Sequence, residues 1–362
     1  MSTIKIGVLG AGRGSSIAKA MKYAPSAELW AICDANEERL AGAAQATGVP
    51  NTFTSFEALL DSEVDAVVVA SPMPLHVEHC VQVLKAGKHV MSEVTAATTM
   101  DQCWELLETV RNSGKKYMMA ENYCWYRPWS IVMGMVKAGI FGEIYYGESE
   151  QLQEFAAALP PLSVQYNWRT AELAMRLGHH YITHDLGPLY WACGERIAQV
   201  TCQGSGQRHT DWAVADSTCT VLLETVTGKQ IRIRLDFFSH RPNNYTYYGL
   251  QGINACYEGP RAPGEEHRIY VNGQTERGTW ESLWNYKEYL SDGWKNLPEE
   301  AISDTYDGGA PLMMEEFARC IIDDTKPPVD VVDALNLTAP GLMSEVSRSK
   351  GGIPVEVPEF VL

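Results

Sequence analysis

No stretch of this 362-residue chain is apolar and long enough to cross a membrane, and its cysteines form no C-x-x-C pair. The nine cysteines, at 33, 80, 103, 124, 193, 202, 219, 256 and 320, are scattered and odd in number. They read as small buried hydrophobes in a reducing compartment, which excludes a disulfide framework or a cysteine zinc site. Positive charge is scarce as well: 29 Lys and Arg against 45 Asp and Glu leave a formal charge of −16. So acidic a surface repels phosphate backbones, which excludes nucleic acid and suits a neutral or weakly charged small molecule. The first strand is entered by Ile4, leaving no room for a signal peptide, so a cytoplasmic protein is expected. Internal repeats and low-complexity linkers are absent too. An apolar fraction of 45% with 20% charged residues describes a globular protein, and the length suffices for two domains with full cores.

What is present starts at the first strand. An alternating apolar segment, Ile4, Ile6, Val8 and Leu9, runs into the turn Gly10-Ala11-Gly12-Arg13-Gly14-Ser15, and a second apolar run, Leu29 to Cys33, ends at Asp34. Glycines at 10 and 12 permit a tight turn and let backbone amides approach a pyrophosphate, which then sits at the positive end of a helix starting near Ser15. Asp34 stands where an acidic side chain accepts hydrogen bonds from a ribose diol. A carboxylate there repels a 2′-phosphate, so the expected cofactor is NAD and not NADP. Ser15 replaces the third glycine of G-x-G-x-x-G, with Gly14 one position early.

Beyond Asp34, helices and strands alternate. Asn36 to Ala44 and His76 to Ala86 read as helices, the latter stopped at Gly87, while Val64 to Ala70, Lys88 to Met91 and Tyr117 to Ala120 read as strands. The fold class is therefore α/β: a doubly wound parallel sheet of the Rossmann type over residues 1–122. In residues 123–362 the pattern changes. Ile231, Ile233, Leu235 and Phe237 alternate with Arg and Asp, and similar strands are expected at 144–153, 197–202, 218–225 and 267–271. That predicts an α+β domain with a large, mainly antiparallel sheet, one face of which is available for a homo-oligomer, a dimer or tetramer. The aromatics Tyr117, Tyr123, Trp125, Tyr126 and Trp129 are dense at the junction; one could stack on a sugar, and most are expected in the core.

The order of Gly10-Ala11-Gly12-Arg13, Ser71-Pro72 with His76, Ala86-Gly87-Lys88-His89-Val90, Glu93, Asn122, Gly142-Glu143-Ile144 and Trp168-Arg169 resembles the Gfo/Idh/MocA oxidoreductase family over nearly the whole chain. The resemblance implies that Ser71, Pro72 and His76 form the loop beneath the nicotinamide and that Glu93 holds the ribose or carboxamide. It places Asn122 among the cofactor residues and has Trp168 and Arg169 close over the nicotinamide end. On its own, His76 reads better as a helix-start residue capping the loop.

Typical members carry Glu-Lys-Pro where this chain has Glu93-Val94-Thr95, and their lysine assists proton removal from a substrate hydroxyl. Val94 cannot, so another acceptor is required. The family's NAD-dependent glycosidase branch, typified by α-N-acetylgalactosaminidases, also has Glu-Val here, and the resemblance extends to Met118 to Asn122, Trp168-Arg169-Thr170, Tyr181 to Pro188 and Pro354 to Phe360. In that branch the Tyr and His of Y-x-T-H, here Tyr181 and His184, line the reacting end of the sugar, while His180 takes the place of an aspartate of ordinary members. Gln151 and Gln153 replace a Tyr-x-His pair, and Asp307 stands where those hydrolases have histidine.

Histidine titrates near neutral pH without help, which makes His184 the expected base, with Tyr181 as relay or hydroxyl anchor. Read as one helical turn apart, His180 and His184 share a face; no third ligand accompanies them, so no metal is expected and His180 is an orienting or substrate-binding residue. The expectation is an NAD-dependent enzyme acting on a small carbohydrate, oxidising a sugar hydroxyl at C3 within redox-assisted glycoside cleavage. A plain sugar or cyclitol dehydrogenase or ketosugar reductase, and a non-catalytic NAD(H)-binding regulator, are the alternatives.

Overall fold

The computed structural model describes residues 2–304 and 309–362. By its contacts the chain divides into two compact units, residues 1–127 with 292–335 and 360–362, and residues 128–291 with 336–359.

The first unit is built on six parallel strands: β1 (Ile4–Leu9), β2 (Ala27–Cys33), β3 (Asn51–Phe53), β4 (Ala66–Val69), β5 (His89–Ser92) and β6 (Tyr117–Met119), in the order β3-β2-β1-β4-β5-β6. Helices cover both faces, which is why the central strands are continuous apolar runs; every residue of β4 is fully buried. Local chemistry sets the helix limits. Asn36, Ser55 and Thr99 each accept a backbone N–H of the first turn that follows, and Gly48 and Gly114 end their helices in the left-handed region. The edge strand β3 escapes the periodicity because its three residues carry no apolar run. Strand order reverses between β1 and β4, so the turn after β1 and the loop after β4 meet at the carboxyl ends of the sheet, where doubly wound folds bind ligands.

The second unit holds nine strands: β7 (Ile144–Leu152), β8 (Ile197–Gly204), β9 (Cys219–Thr225), β10 (Gln230–Asp236), β11 (Asn244–Gly252), β12 (Ala255–Glu258), β13 (Arg268–Val271), β14 (Glu281–Ser282) and β15 (Val355–Glu356). Their order is β14-β13-β12-β11-β7-β10-β9-β8-β15, and the sheet is antiparallel except for the parallel pair β7 and β10. Ile231 and Ile233 point into the core, as their alternation predicts. Arg232 turns to the other face, where it and Arg261 pair with Glu148 and Glu150 of β7. The helix Thr183–Cys193 lies on the inner face of β7: a Cβ on Gly147 would stand 3.1 Å from Leu189, and Ser149 Oγ donates to Asp185 at 3.2 Å. Trp129 is fully buried against Tyr248 and Tyr257, and Tyr117, Tyr123 and Trp125 are buried as well, so these aromatics serve the cores. Among the described residues no helix is long and apolar enough to cross a membrane.

Candidate functional site

In the first unit the three glycines of the turn have three different reasons to lack a side chain. Gly10 has φ of 101°, and a Cβ there would meet Ala70 O at 2.5 Å. A Cβ on Gly14 would meet Val8 Cγ1 at 2.6 Å and Ala70 Cβ at 3.2 Å, so Gly14 lets the helix Gly14–Ala20 pack onto the sheet. Around Gly12 nothing lies within 4 Å of where a Cβ would be. Bends for the chain, an open cradle for a phosphate and close helix packing are the three demands of a dinucleotide turn, and Gly14 meets the third although the spacing is one residue short. Ser15 donates its hydroxyl to Ala11 O and closes the turn. Asp34, nine-tenths buried, accepts the Ala11 N–H at 2.8 Å through Oδ2 and the Asn36 N–H at 2.8 Å through Oδ1, so its carboxylate is aimed at the glycine turn from the end of β2.

Arg13 and Glu93, far apart in sequence, form an ion pair at 2.7 Å. Val94 follows, buried at 4% exposure, and occupies the lysine position with an apolar side chain. The loop after β4 is tied down by its own histidines. His76 sets Nδ1 2.8 Å from Thr95 O and Nε2 2.9 Å from Ser71 O, while His79 Nδ1 is 2.8 Å from Ser71 Oγ. Burial pushes the His76 pKa down, against the pull of the two carbonyls and Glu93. With both nitrogens facing carbonyls inside the protein, His76 braces the loop, while Pro72 stands exposed on it. Asn122 has a buried Oδ1 with no hydrogen-bond partner among the described residues. The open cradle at Gly12 and this unspent acceptor both fit a bound dinucleotide.

In the second unit Tyr181 and His184 stand together, rings edge to face with centroids 5.0 Å apart, both half-buried. His184 is the second residue of the helix Thr183–Cys193, and its carbonyl accepts the Tyr248 hydroxyl at 2.6 Å. His180 corrects the helical reading: it lies in the turn before that helix, so the two histidines do not share a helix face. Burial, with the Arg176 guanidinium next, pushes His180 down to about 3, so its ring is neutral. Nε2 then donates to Leu177 O at 2.9 Å, leaving Nδ1 a buried acceptor with no partner among the described residues. Such an imidazole is too weak a base to take a hydroxyl proton at neutral pH. Trp168 and Arg169 stack on each other, the guanidinium carbon 4.2 Å from the ring centroid. Gln151 is buried with Oε1 unpartnered among the described residues, Gln153 is half-buried, and Asp307 lies outside the described residues. No cluster of three His, Cys, Asp or Glu able to hold a metal occurs among the described residues, and all nine cysteines are free.

Two residues were given no role by the motifs, although Asp185 lies within the stretch Tyr181 to Pro188. His179 and Asp185 are both buried and paired, Nε2 to Oδ2 at 2.8 Å. The available signal was an acid directly before the apolar run Leu186 to Leu189, where a buried carboxylate needs a partner.

Comparison with known proteins agrees with both units. Residues 4–121 match the model of the oxidoreductase family GFO/IDH/MocA, NAD-binding Rossmann fold, and residues 194–362 match that of the glycosyl hydrolase 109 C-terminal domain. A glycosyl hydrolase family 109 protein of Solibacter usitatus is 30% identical, the match covering 99% of this chain and 88% of the relative. An alpha-N-acetylgalactosaminidase of Shewanella oneidensis is 26% identical, covering 99% of this chain and 85% of the relative. Among solved structures, a levoglucosan dehydrogenase in complex with NADH superposes with a TM-score of 0.85 at 19% identity, covering 99% of this chain and all of that one. An oxidoreductase domain protein from Kribbella flavida gives 0.84 at 20% identity, with the same coverage. The first unit is thus built on an NAD-binding Rossmann domain, and the chain belongs to glycosyl hydrolase family 109, within the Gfo/Idh/MocA oxidoreductases.

Proposed function

We propose that this protein is an NAD-dependent enzyme that oxidises a hydroxyl of a glycoside, at C3, as the opening step of redox-assisted cleavage. The observation that carries the reading is the Tyr181–His184 pair, two proton-carrying rings in contact beside a backbone pinned by Tyr248, in a chain whose lysine position is the buried Val94. When bound, NAD supplies a hydride acceptor that can return the hydride before the turnover ends.

His184 takes the proton of the C3 hydroxyl, since imidazole is the side chain whose ordinary range brackets neutral pH. Tyr181 anchors that hydroxyl. With a ketone at C3 the C2 proton is acidified, and its removal expels the C1 substituent; water then adds across C1 and C2 and C3 is reduced. Tyr181 is the candidate base at C2, acting as its phenolate once its own proton has passed to solvent; on β7, Gln151 has no basic atom, and Glu150 is engaged by Arg232 and Arg261 on the opposite face. The neutral His180 orients substrate by accepting a hydroxyl at Nδ1.

The test is a panel of aryl glycosides and free sugars in D2O, followed for aglycone release, NADH absorbance and deuterium at C2. Release with C2 exchange and no lasting NADH is expected. Stoichiometric NADH without cleavage refutes the cleavage cycle in favour of a plain dehydrogenase, and NAD binding with no turnover on any sugar refutes catalysis. His184→Ala is expected to lower turnover by roughly 10²–10⁴ with NAD affinity retained.

A further inference from the structure

The segment that carries Tyr181 and His184 is held by hydrogen bonds of the residues that flank them. His179 Nε2 lies 2.8 Å from Asp185 Oδ2, a hydrogen bond that closes residues 179–185 on themselves, the span that contains Tyr181 and His184. Asp185 Oδ1 accepts Ser149 Oγ at 3.2 Å, which ties this loop to β7. The His179 N–H donates to Ser344 Oγ at 2.8 Å, and Ser344 in turn donates to Gly341 O at 2.6 Å, tying the loop to the helix Val331–Ser349. Glycines let the surfaces meet. A Cβ on Gly341 would stand 2.7 Å from His179 O, and one on Gly178, whose φ is 82°, would stand 2.6 Å from Glu345 N.

Stability does not explain a buried His–Asp pair. His179 is 0% and Asp185 2% exposed, and a polar pair so fully desolvated contributes little over well-packed apolar side chains of similar volume. What it has that apolar packing lacks is direction: hydrogen bonds fix angle and register, whereas apolar contacts allow sliding. The half-buried rings of Tyr181 and His184 receive that direction from the backbone beneath them.

We propose that the His179–Asp185 pair is a positioning device that aims Tyr181 and His184, so that catalytic rate depends on two residues that never touch substrate. The proposal rests on the reading of Tyr181 and His184 as the reacting pair. A misplacement of about 1 Å is enough to cost roughly a hundredfold in rate.

The test compares wild type with His179→Leu/Asp185→Leu, Asp185→Asn and His184→Ala, with kcat expressed per NAD-binding site so that only folded protein counts. The double apolar variant is expected to stay folded, to keep KM and NAD affinity within about threefold, and to lose kcat by roughly 30-fold or more. Asp185→Asn, which keeps the shape and an acceptor for His179, is expected to hold kcat within about fivefold and serves as the measured variant should the double one fail to fold, alongside Ser149→Ala with an intermediate loss. A second readout is independent of turnover: carbethoxylation of His184 by diethyl pyrocarbonate, followed by mass spectrometry, should change in rate at least about threefold in the double variant and return in Asp185→Asn. Unchanged kcat together with unchanged His184 reactivity overturns the positioning role. Full activity in His184→Ala overturns the reading of the reacting pair instead, and the modification rate then decides the positioning role by itself.

Discussion

One alanine placed in turn at Gly10, Gly12 and Gly14 should give three different failures, because the same methyl group meets different surroundings. At Gly14 it would lie 2.6 Å from Val8 Cγ1, so helix or strand must shift; overpacking of this kind costs about 1–3 kcal/mol. At Gly10 the φ of 101° is unfavourable for any L side chain, about 1–3 kcal/mol, and the obstacle at 2.5 Å is a backbone oxygen that cannot rotate away. At Gly12 nothing lies within 4 Å, so the folded apo protein should keep its stability within about 1 kcal/mol. The methyl group instead fills the cradle that the pyrophosphate needs. Losing one charge-assisted hydrogen bond there, about 1.5–3 kcal/mol, raises the Kd for NAD roughly 10- to 150-fold. Urea unfolding of each apo variant and calorimetric titration with NAD separate the cases. Gly12→Ala binding NAD within about threefold of wild type, or Gly14→Ala unfolding at the wild-type midpoint, would refute the assignment of roles.

Other consequences are open to measurement. Burial holds His180 at about 3 and His267 at about 4, both below the ordinary histidine value of 6.5, so between those values the unfolded chain binds protons that the folded one refuses. Stability is therefore full above pH 6.5 and falls as pH drops, by about 1.4 kcal/mol per unit for each histidine; urea midpoints from pH 7 to 4.5 should show the decline, and His267→Gln should flatten it. Arg13→Ala and Glu93→Ala should each weaken NAD binding about tenfold, and the double variant should be no weaker than the worse single one, because the two are paired at 2.7 Å; additive losses in a double-mutant cycle contradict a shared role. Gly341→Ala should destabilise the protein by about 1–3 kcal/mol, since its methyl group meets His179 O at 2.7 Å and Ile182 Cγ2 at 2.9 Å; an unchanged urea midpoint would mean that turn and helix can part at no cost.

Much of this molecule was legible in the one-dimensional pattern because the relevant physics is local. Period-two and period-3.6 hydrophobicity reports which face is buried, so the continuous run at Ala66–Val69 and the alternation at Gln230–Asp236 announce a covered parallel strand and a half-covered one. A glycine turn between strand and helix, with an acid at the end of the next strand, is likewise a local geometry that only certain residues satisfy.

Pairing is not local, and there the sequence was silent. That β10 joins β7 in parallel, that residues 292–335 return to the first unit, and that Arg13 meets Glu93 depend on which segments pack against which. The turn before Thr183 shows the same division. Tyr181 and His184 were visible as proton-carrying side chains, but helical spacing put His180 on a helix face that it does not occupy; its neutral state follows from burial that strips the ring of charge and from a backbone carbonyl that takes its only proton. Asp185 signalled in the sequence that it needs a partner, but that His179 is that partner emerged only once the two were buried together, because a carboxylate and an imidazole become a directional pair through desolvation, which no residue has on its own. Composition, periodicity and the glycine turn by themselves determined a doubly wound NAD-binding sheet followed by a larger antiparallel one. Tertiary structure alone decided which histidine stays neutral and which buried pair closes the turn before Thr183, since both depend on loss of water and on the strand and helix packed around that turn.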